Sequence, residues 1–239
     1  MGCFGFAMAA IKQSAATAFC LIGIDRLLRK GPPFWRFLLF LLWTAIGILF
    51  HPFSAVFLVC PLLLFSPWSP PTYLMIGLCA AAGFSLQTWL SGAINLLSLV
   101  GVDYDDANLL SGGANTFRVL VVWAPVLLSF LGAKFWKRSR SRADNLMMNL
   151  SILCAELMFI ALFGNPIYFG RLANYFLVFQ VVCIPLILDH FEPNSRFLLK
   201  WATVAGYIGY VLFGNLFDGR TFDNTYSAVK LWEYLGEIF

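Results

Sequence analysis

Residues 164–188 read GNPIYFGRLANYFLVFQVVCIPLIL, a stretch that seats one arginine, Arg171, at the mouth of a long apolar run. Its reading decides the class of fold, because an apolar helix of about 20 residues is what roughly 30 Å of hydrocarbon demands. On a helix through this stretch, Tyr168, Arg171 and Tyr175 fall at i, i+3 and i+7, with Asn174 beside them. A cation, two phenols and an amide then share one side near a membrane surface. Such a cluster suits a glycan or a phosphate, since a planar bidentate donor beside aromatic faces matches both. A guanidinium at a helix end can also simply snorkel to the headgroups, which removes most of its cost in lipid. Both readings apply to Arg171.

The rest of the chain extends the apolar pattern. Of its residues 60% are hydrophobic and only 12% charged, with a mean hydropathy of +0.79, more apolar surface than a soluble domain of 239 residues can bury. Apolar segments at approximately 12–28, 35–50, 53–66, 72–90, 117–133, 145–163, 169–188 and 198–214 predict an all-α, polytopic transmembrane helix bundle with about eight membrane crossings.

Lysines and arginines concentrate on the cytoplasmic side of membrane proteins, which orients the bundle. One alternating assignment puts Arg26, Arg29, Lys30 and Arg36, then Lys134, Lys137, Arg138, Arg140 and Arg142, then Arg196 and Lys200 inside. Those are most of the 16 basic residues. Lys12, Arg118, Arg171, Arg220 and Lys230 fall outside, together with Asp103, Asp105, Asp106, Asp218, Asp223, Glu233 and Glu237. Both termini are predicted external. The opening MGCFGFAMAAIKQ has no charged n-region or small-residue cleavage site, and Phe6 stands where a myristoylation site wants Ser or Thr. The expectation is a chain lacking upstream helices.

Residues 1–239 read as a single integral membrane domain with short loops, broken in three places. At LFHPFS, 49–54, a tight hairpin is predicted, because Pro52 cannot donate a helical hydrogen bond and suits a first turn. Residues 91–117 form an external loop, half apolar, with Gly112-Gly113 as a turn. Residues 216–239 form an external tail, amphipathic toward its end, which lies on the outer surface.

Few polar residues are placed for chemistry. His51 lies at the outer membrane edge with Ser54 three residues on. It can act as a base on a sugar hydroxyl, or cap the hairpin against headgroups. Glu156 lines up with Asn145, Asn149 and Ile152 at helical spacing, where a carboxylate must be neutral or paired; an interhelical hydrogen bond and a proton site both account for it. Lys12, Gln13 and Arg118, at outer helix ends, add polarity to an external pocket or anchor their helices at the interface. Asp103-Tyr104-Asp105-Asp106 offers oxygen ligands but fails the calcium-loop pattern at Ala107 and Asn108, and three acids in an exposed loop are ordinarily just solvated. The six cysteines are scattered singly, without a C-x-x-C pair, and read as small hydrophobes, so no metal site is predicted. The run WKRSRSR at 136–142 is a topology anchor and not a nucleic-acid patch. No nucleotide-binding glycine loop or G-x-S-x-G elbow is present, so no cofactor is expected.

Lys12-Gln13 opening an alanine-rich helix, FHPFS at 50–54, and GRLANYF followed by IPLIL within 170–188 together resemble the EpsG-like family of bacterial exopolysaccharide polymerases, relatives of Wzy-type polymerases. The chain departs from that pattern in Lys12, where the family has arginine, and in one extra residue between His51 and Ser54. The resemblance implies a GT-C-like fold and a multi-pass enzyme of the bacterial cytoplasmic membrane. It implies a glycosyltransferase that joins repeat units carried on a polyisoprenyl diphosphate at the outer face. In the motifs it shares, Arg171 would bind diphosphate or glycan with support from Tyr175, and His51 would be a candidate base; Gln13, Ser54, Tyr168 and Asn174 are candidate substrate contacts, and Lys12 and Arg118 join them from topology alone. Partners would be the polyisoprenyl-diphosphate-linked oligosaccharide, membrane lipid, and other polysaccharide export or chain-length proteins. A lipid-linked glycan flippase would use the same outer cations without making a bond, and needs a polar path across the membrane. A membrane O-acyltransferase would use His51 on an acyl thioester.

Overall fold

The computed structural model of the chain describes residues 11–86, 88, 90–92, 112–133, 141–164 and 169–217, the last seven of these as helix without side chains. Among the described residues the protein is all-helical. Its elements are α1 (Ile11–Leu28), α2 (Pro33–Phe50), the 3-10 helix η1 (Pro52–Leu63), α3 (Pro70–Phe84), α4 (Thr116–Leu131), α5 (Arg142–Ile160), α6 (Phe169–Asn174), α7 (Leu177–Leu188) and α8 (Pro193–Phe217). The chain divides into two units between Phe191 and Glu192. In the second, α8 exposes Phe197, Trp201, Val204 and Ile208 at helical spacing along one stripe. Most of the predicted external loop, the tail beyond Phe217, the basic stretch 134–140 and Asp103 to Asp106 lie outside the described residues.

In the first unit, α5 is the hub. Its sequence RADNLMMNLSILCAELMFI is apolar around most of its circumference, which demands burial on every side, and α3, α4, α6, α7 and η1 pack around it. α1 and α2 form a close antiparallel hairpin through small residues. Ala16, Cys20 and Gly23 on α1 meet Phe40, Thr44 and Gly47 on α2, and a Cβ built on Gly23 would stand 3.1 Å from the Phe40 carbonyl oxygen. Small side chains let helix backbones approach this closely in lipid. Phe34, Trp35, Leu38, Leu42 and Leu49 of α2 are turned outward, an apolar exterior suited to hydrocarbon.

The segment expected as a helix over 53–66 winds as a 3-10 helix. At three residues per turn, Ser54, Phe57, Cys60 and Leu63 stack in one buried stripe. The stripe begins at His51, whose carbonyl accepts from the Ser54 N–H at 2.9 Å. The winding also stretches the segment to ~24 Å, against ~18 Å for an α-helix of the same twelve residues. At its far end Asn149 of α5 donates to the Leu63 and Phe65 carbonyls at 2.9 and 2.8 Å, satisfying acceptors freed where the winding stops.

Helix lengths differ from the expected crossings. Among the described residues, α2 and α5 are long and apolar enough to cross a membrane, while η1, α3, α4 and α7 are apolar but shorter. Length and composition thus support two spans, where the apolar segments led to an expectation of about eight. Residues 169–188 show the physical reason. Tyr175 N–H donates to the Leu172 carbonyl at 3.3 Å, and Phe176 N–H to Ala173 at 3.0 Å. These i→i−3 bonds tighten the chain and split the expected helix into α6 and α7.

Gly47 sits where α1, α2 and η1 meet: an added Cβ would lie 2.7 Å from Cys20 Sγ and 3.0 Å from the Ala16 carbonyl oxygen. Gly47→Ala is therefore expected to destabilise the purified protein by about 1–3 kcal/mol, as overpacking of a filled interior does. Gly77→Ala on α3, where a Cβ meets nothing within 4 Å, is the control that should lose nothing. Equal thermal denaturation of both variants in detergent would contradict this packing.

Candidate functional site

The first turn of α1, the α2–η1 junction, the first turn of α4 and the α6–α7 break converge. Pro52 ends α2 and turns the chain so that His51 adopts an extended conformation between the two helices. The break after Asn174 rotates Tyr175 inward, where it is fully buried. The two meet: the Tyr175 hydroxyl lies 2.6 Å from His51 Nδ1. Phe57, two turns along η1 from His51, packs edge-on against the Tyr175 ring with centroids 5.7 Å apart.

Gln13, only 2% exposed, donates its Nε2–H to the Arg171 carbonyl at 2.9 Å and fastens α6 to α1. Arg118 Nη2 donates to Asn174 Oδ1 at 3.0 Å, which fastens α6 to α4. Asn115 caps α4 by accepting from the backbone N–H of Phe117 at 2.8 Å and of Arg118 at 3.4 Å. The α6 backbone is thus held by Gln13 and the Asn174 side chain by Arg118, while the Arg171, Arg118 and Lys12 side chains remain exposed. Among the described residues none of these three cations is in an ion pair.

His51 is half-buried. Its pKa is pushed below the ordinary histidine value, first by burial and then by the positive charges of Arg171 and Lys12. The imidazole is consequently neutral near pH 7. The site offers cations for an anion, a neutral imidazole, and an amide beside them.

The structure brings together Lys12, Gln13, His51, Arg118, Arg171, Asn174 and Tyr175. Tyr168 lies outside the described residues. Arg171 and Tyr175 do not share one helical side, because the chain breaks between them: Arg171 is exposed and Tyr175 buried. Ser54 is also fully buried, one turn along η1 from His51 and close to Cys20 and Gly47. Glu156 makes none of these contacts. It is 1% exposed within α5, and its Oε1 has no hydrogen-bond partner among the described residues. Sequence reasoning missed Asn115, although an asparagine just before an apolar run signals a helix cap. It also missed Gln180, a lone amide in an apolar helix, which donates to the Val122 carbonyl at 2.8 Å and ties α7 to α4.

Residues 1–229 match the EpsG family, and the chain belongs to it. It is on that ground a membrane-associated protein related to exopolysaccharide biosynthesis. No curated protein and no solved structure matches the chain.

The electrostatic coupling within the site is open to direct measurement. In an NMR titration of the purified protein, His51 should titrate below the ordinary histidine range, and Arg171→Ala should move its midpoint upward because one charge opposing protonation is gone. A midpoint unmoved by the substitution would place Arg171 too far from the imidazole to act on the same ligand.

Proposed function

We propose that the protein is a polysaccharide polymerase, a glycosyltransferase joining polyisoprenyl-diphosphate-linked repeat units at the outer face of the bacterial cytoplasmic membrane. The observation that carries this reading is the gathering of three cations without ionic partners among the described residues, Arg171 and Lys12 near the neutral imidazole of His51 and Arg118 bonded to Asn174 beside them. An anion is the natural ligand of such a site, and a donor whose leaving group is a lipid diphosphate supplies one. As the glycosidic bond to that diphosphate breaks, negative charge grows on its bridging oxygen. Preorganised cations and N–H donors lower the barrier most when they face charge that develops in the transition state. Arg171 meets this need through its planar fork, with its backbone fixed by Gln13 and its neighbour Asn174 held by Arg118. His51 and Arg171 are the residues assigned to the reacting centre. Lys12, Arg118 and Asn174 contact substrate, while Gln13, Ser54 and Tyr175 support them from within.

The membrane arrangement belongs to the same proposal: multiple crossings in a GT-C-like bundle, basic loops cytoplasmic, and the site external. The flippase reading draws on one observation, the buried polar side chains of Asn149, Ser151, Glu156 and Gln180. Asn149 and Gln180 spend their N–H groups on backbone carbonyls, however, which favours a structural role for them over a transport path.

Arg171→Ala should lower polymer formation about 10²-fold or more at equal membrane abundance, by analogy with the loss of one oxyanion-type donor. Arg171→Lys, which keeps charge but loses the fork, should be impaired nearly as much. Polymer at wild-type level from Arg171→Ala, in cells lacking the native gene, would sink the assignment and leave the arginine as an interfacial anchor. The orientation has its own check. A single cysteine placed at Ser139 in a cysteine-free background should resist impermeant thiol reagents in intact cells, and its labelling there would invert the topology.

A further inference from the structure

Burial of Tyr175 decides where the proton sits on His51. The tyrosine side chain is fully buried, and its hydroxyl has one hydrogen-bond partner among the described residues, His51 Nδ1 at 2.6 Å. A phenol has a single proton to donate, and a buried hydroxyl proton left without an acceptor forfeits the hydration it had in the unfolded chain. The hydroxyl must therefore donate to Nδ1, which acts as acceptor. A neutral imidazole carries one N–H, and with Nδ1 accepting, that hydrogen lies on Nε2. The opposite tautomer would place the Nδ1 hydrogen against the phenol oxygen and leave the phenol hydrogen without an acceptor among the described residues.

We propose that Tyr175 is a positioning residue that fixes His51 as its Nε2–H tautomer, so that His51 meets the lipid-linked diphosphate as a neutral hydrogen-bond donor and not as a base. The ligand named here rests on the polymerase reading above, whereas the tautomer does not. Burial and the adjacent Arg171 and Lys12 charges disfavour imidazolium, so the donor is the neutral ring. A neutral donor still stabilises an oxyanion, since the N–H dipole faces charge that grows as the bond breaks.

The consequence for the reaction is specific. The acceptor hydroxyl oxygen forms its bond to the anomeric carbon while the bond from that carbon to the phosphate oxygen breaks, and the bonding pair leaves on the diphosphate. The hydroxyl proton passes to an oxygen of that departing diphosphate. Nε2 already holds a hydrogen and has no lone pair to take it.

The tautomer is read without any assay of polymer. In protein labelled with 15N-histidine and held in lipid nanodiscs near neutral pH, His51 should show an unprotonated Nδ1 and a protonated Nε2. The chain has two histidines, so the signal absent from His51→Gln assigns it. Tyr175→Phe keeps the ring and removes the hydroxyl, and should release His51 into a mixture of tautomers. A protonated Nδ1 in the unsubstituted protein, or a Tyr175→Phe spectrum like the parent's, would overturn the proposal. In cells, His51→Gln should form about tenfold or more polymer than His51→Ala, because glutamine places an N–H donor near the Nε2 position but cannot act as a base. Equal inactivity of the two would overturn the donor role. Normal polymer from both, beside the expected spectrum, would overturn the polymerase reading of the site and uphold the tautomer.

Discussion

The winding of residues 52–63 at three residues per turn is the constraint on which the site depends. On an α-helix each step of three residues falls about 60° short of a full turn, so Ser54 and Leu63 would end about 180° apart. At three per turn they remain in register, and the stripe from His51 through Ser54, Phe57 and Cys60 to Leu63 faces one interior. One strip of side chains then serves two purposes. Its near end directs His51 toward Tyr175, and its far end delivers the Leu63 carbonyl to Asn149 on the central helix. The extra residue between His51 and Ser54 is absorbed in the same way, since a spacing of three is one complete turn.

The division between buried and exposed polar groups follows from what each can satisfy inside. Gln13, Asn149 and Gln180 are amides, and each finds backbone carbonyls as acceptors: that of Arg171, those of Leu63 and Phe65, and those of Val122 and Ser151. The Asn149 and Arg171 cases fall at irregular points, where η1 ends and in the short helix before the Tyr175 break. Buried amides are thus spent where the backbone cannot satisfy itself. Lys12, Arg118 and Arg171 have no such backbone partners among the described residues and stay at the surface. The interior therefore holds the backbone of Arg171 through Gln13 while its guanidinium stays exposed.

Most of the helices were legible in the sequence, because apolar runs bounded by Pro33, Pro70 and Pro193 leave little alternative. Their lengths were not. An apolar run reports burial in protein or in lipid alike, and α7 takes up only the later part of the run expected over 169–188. The meeting of His51 with the GRLANYF stretch was foreseeable in outline, since both lie at one predicted membrane level. The part played by Tyr175 was not foreseeable, because LANYFLVF contains neither glycine nor proline to mark a break. The break comes from tertiary packing of Tyr175 and Phe176 against Phe57, which local sequence does not encode. Spacing by a continuous helix therefore grouped Tyr175 with Arg171, where the folded chain separates them.

The electrostatics of the site follow from this geometry. An imidazolium surrounded by Arg171 and Lys12 would be disfavoured, and burial disfavours it further, so the histidine contributes no charge and leaves the positive potential to the exposed lysine and arginines. Charge and polarity are assigned to different residues. On the proposed reading the exposed cations would draw an anion from the surface, whereas the imidazole, held by a buried phenol, has a fixed direction. Attraction alone would bind substrate and transition state equally and gain nothing in rate. On the proposed reading, the imidazole held by Tyr175 and the Arg171 guanidinium, whose backbone Gln13 holds, would discriminate between them by already pointing at the oxygen on which charge appears.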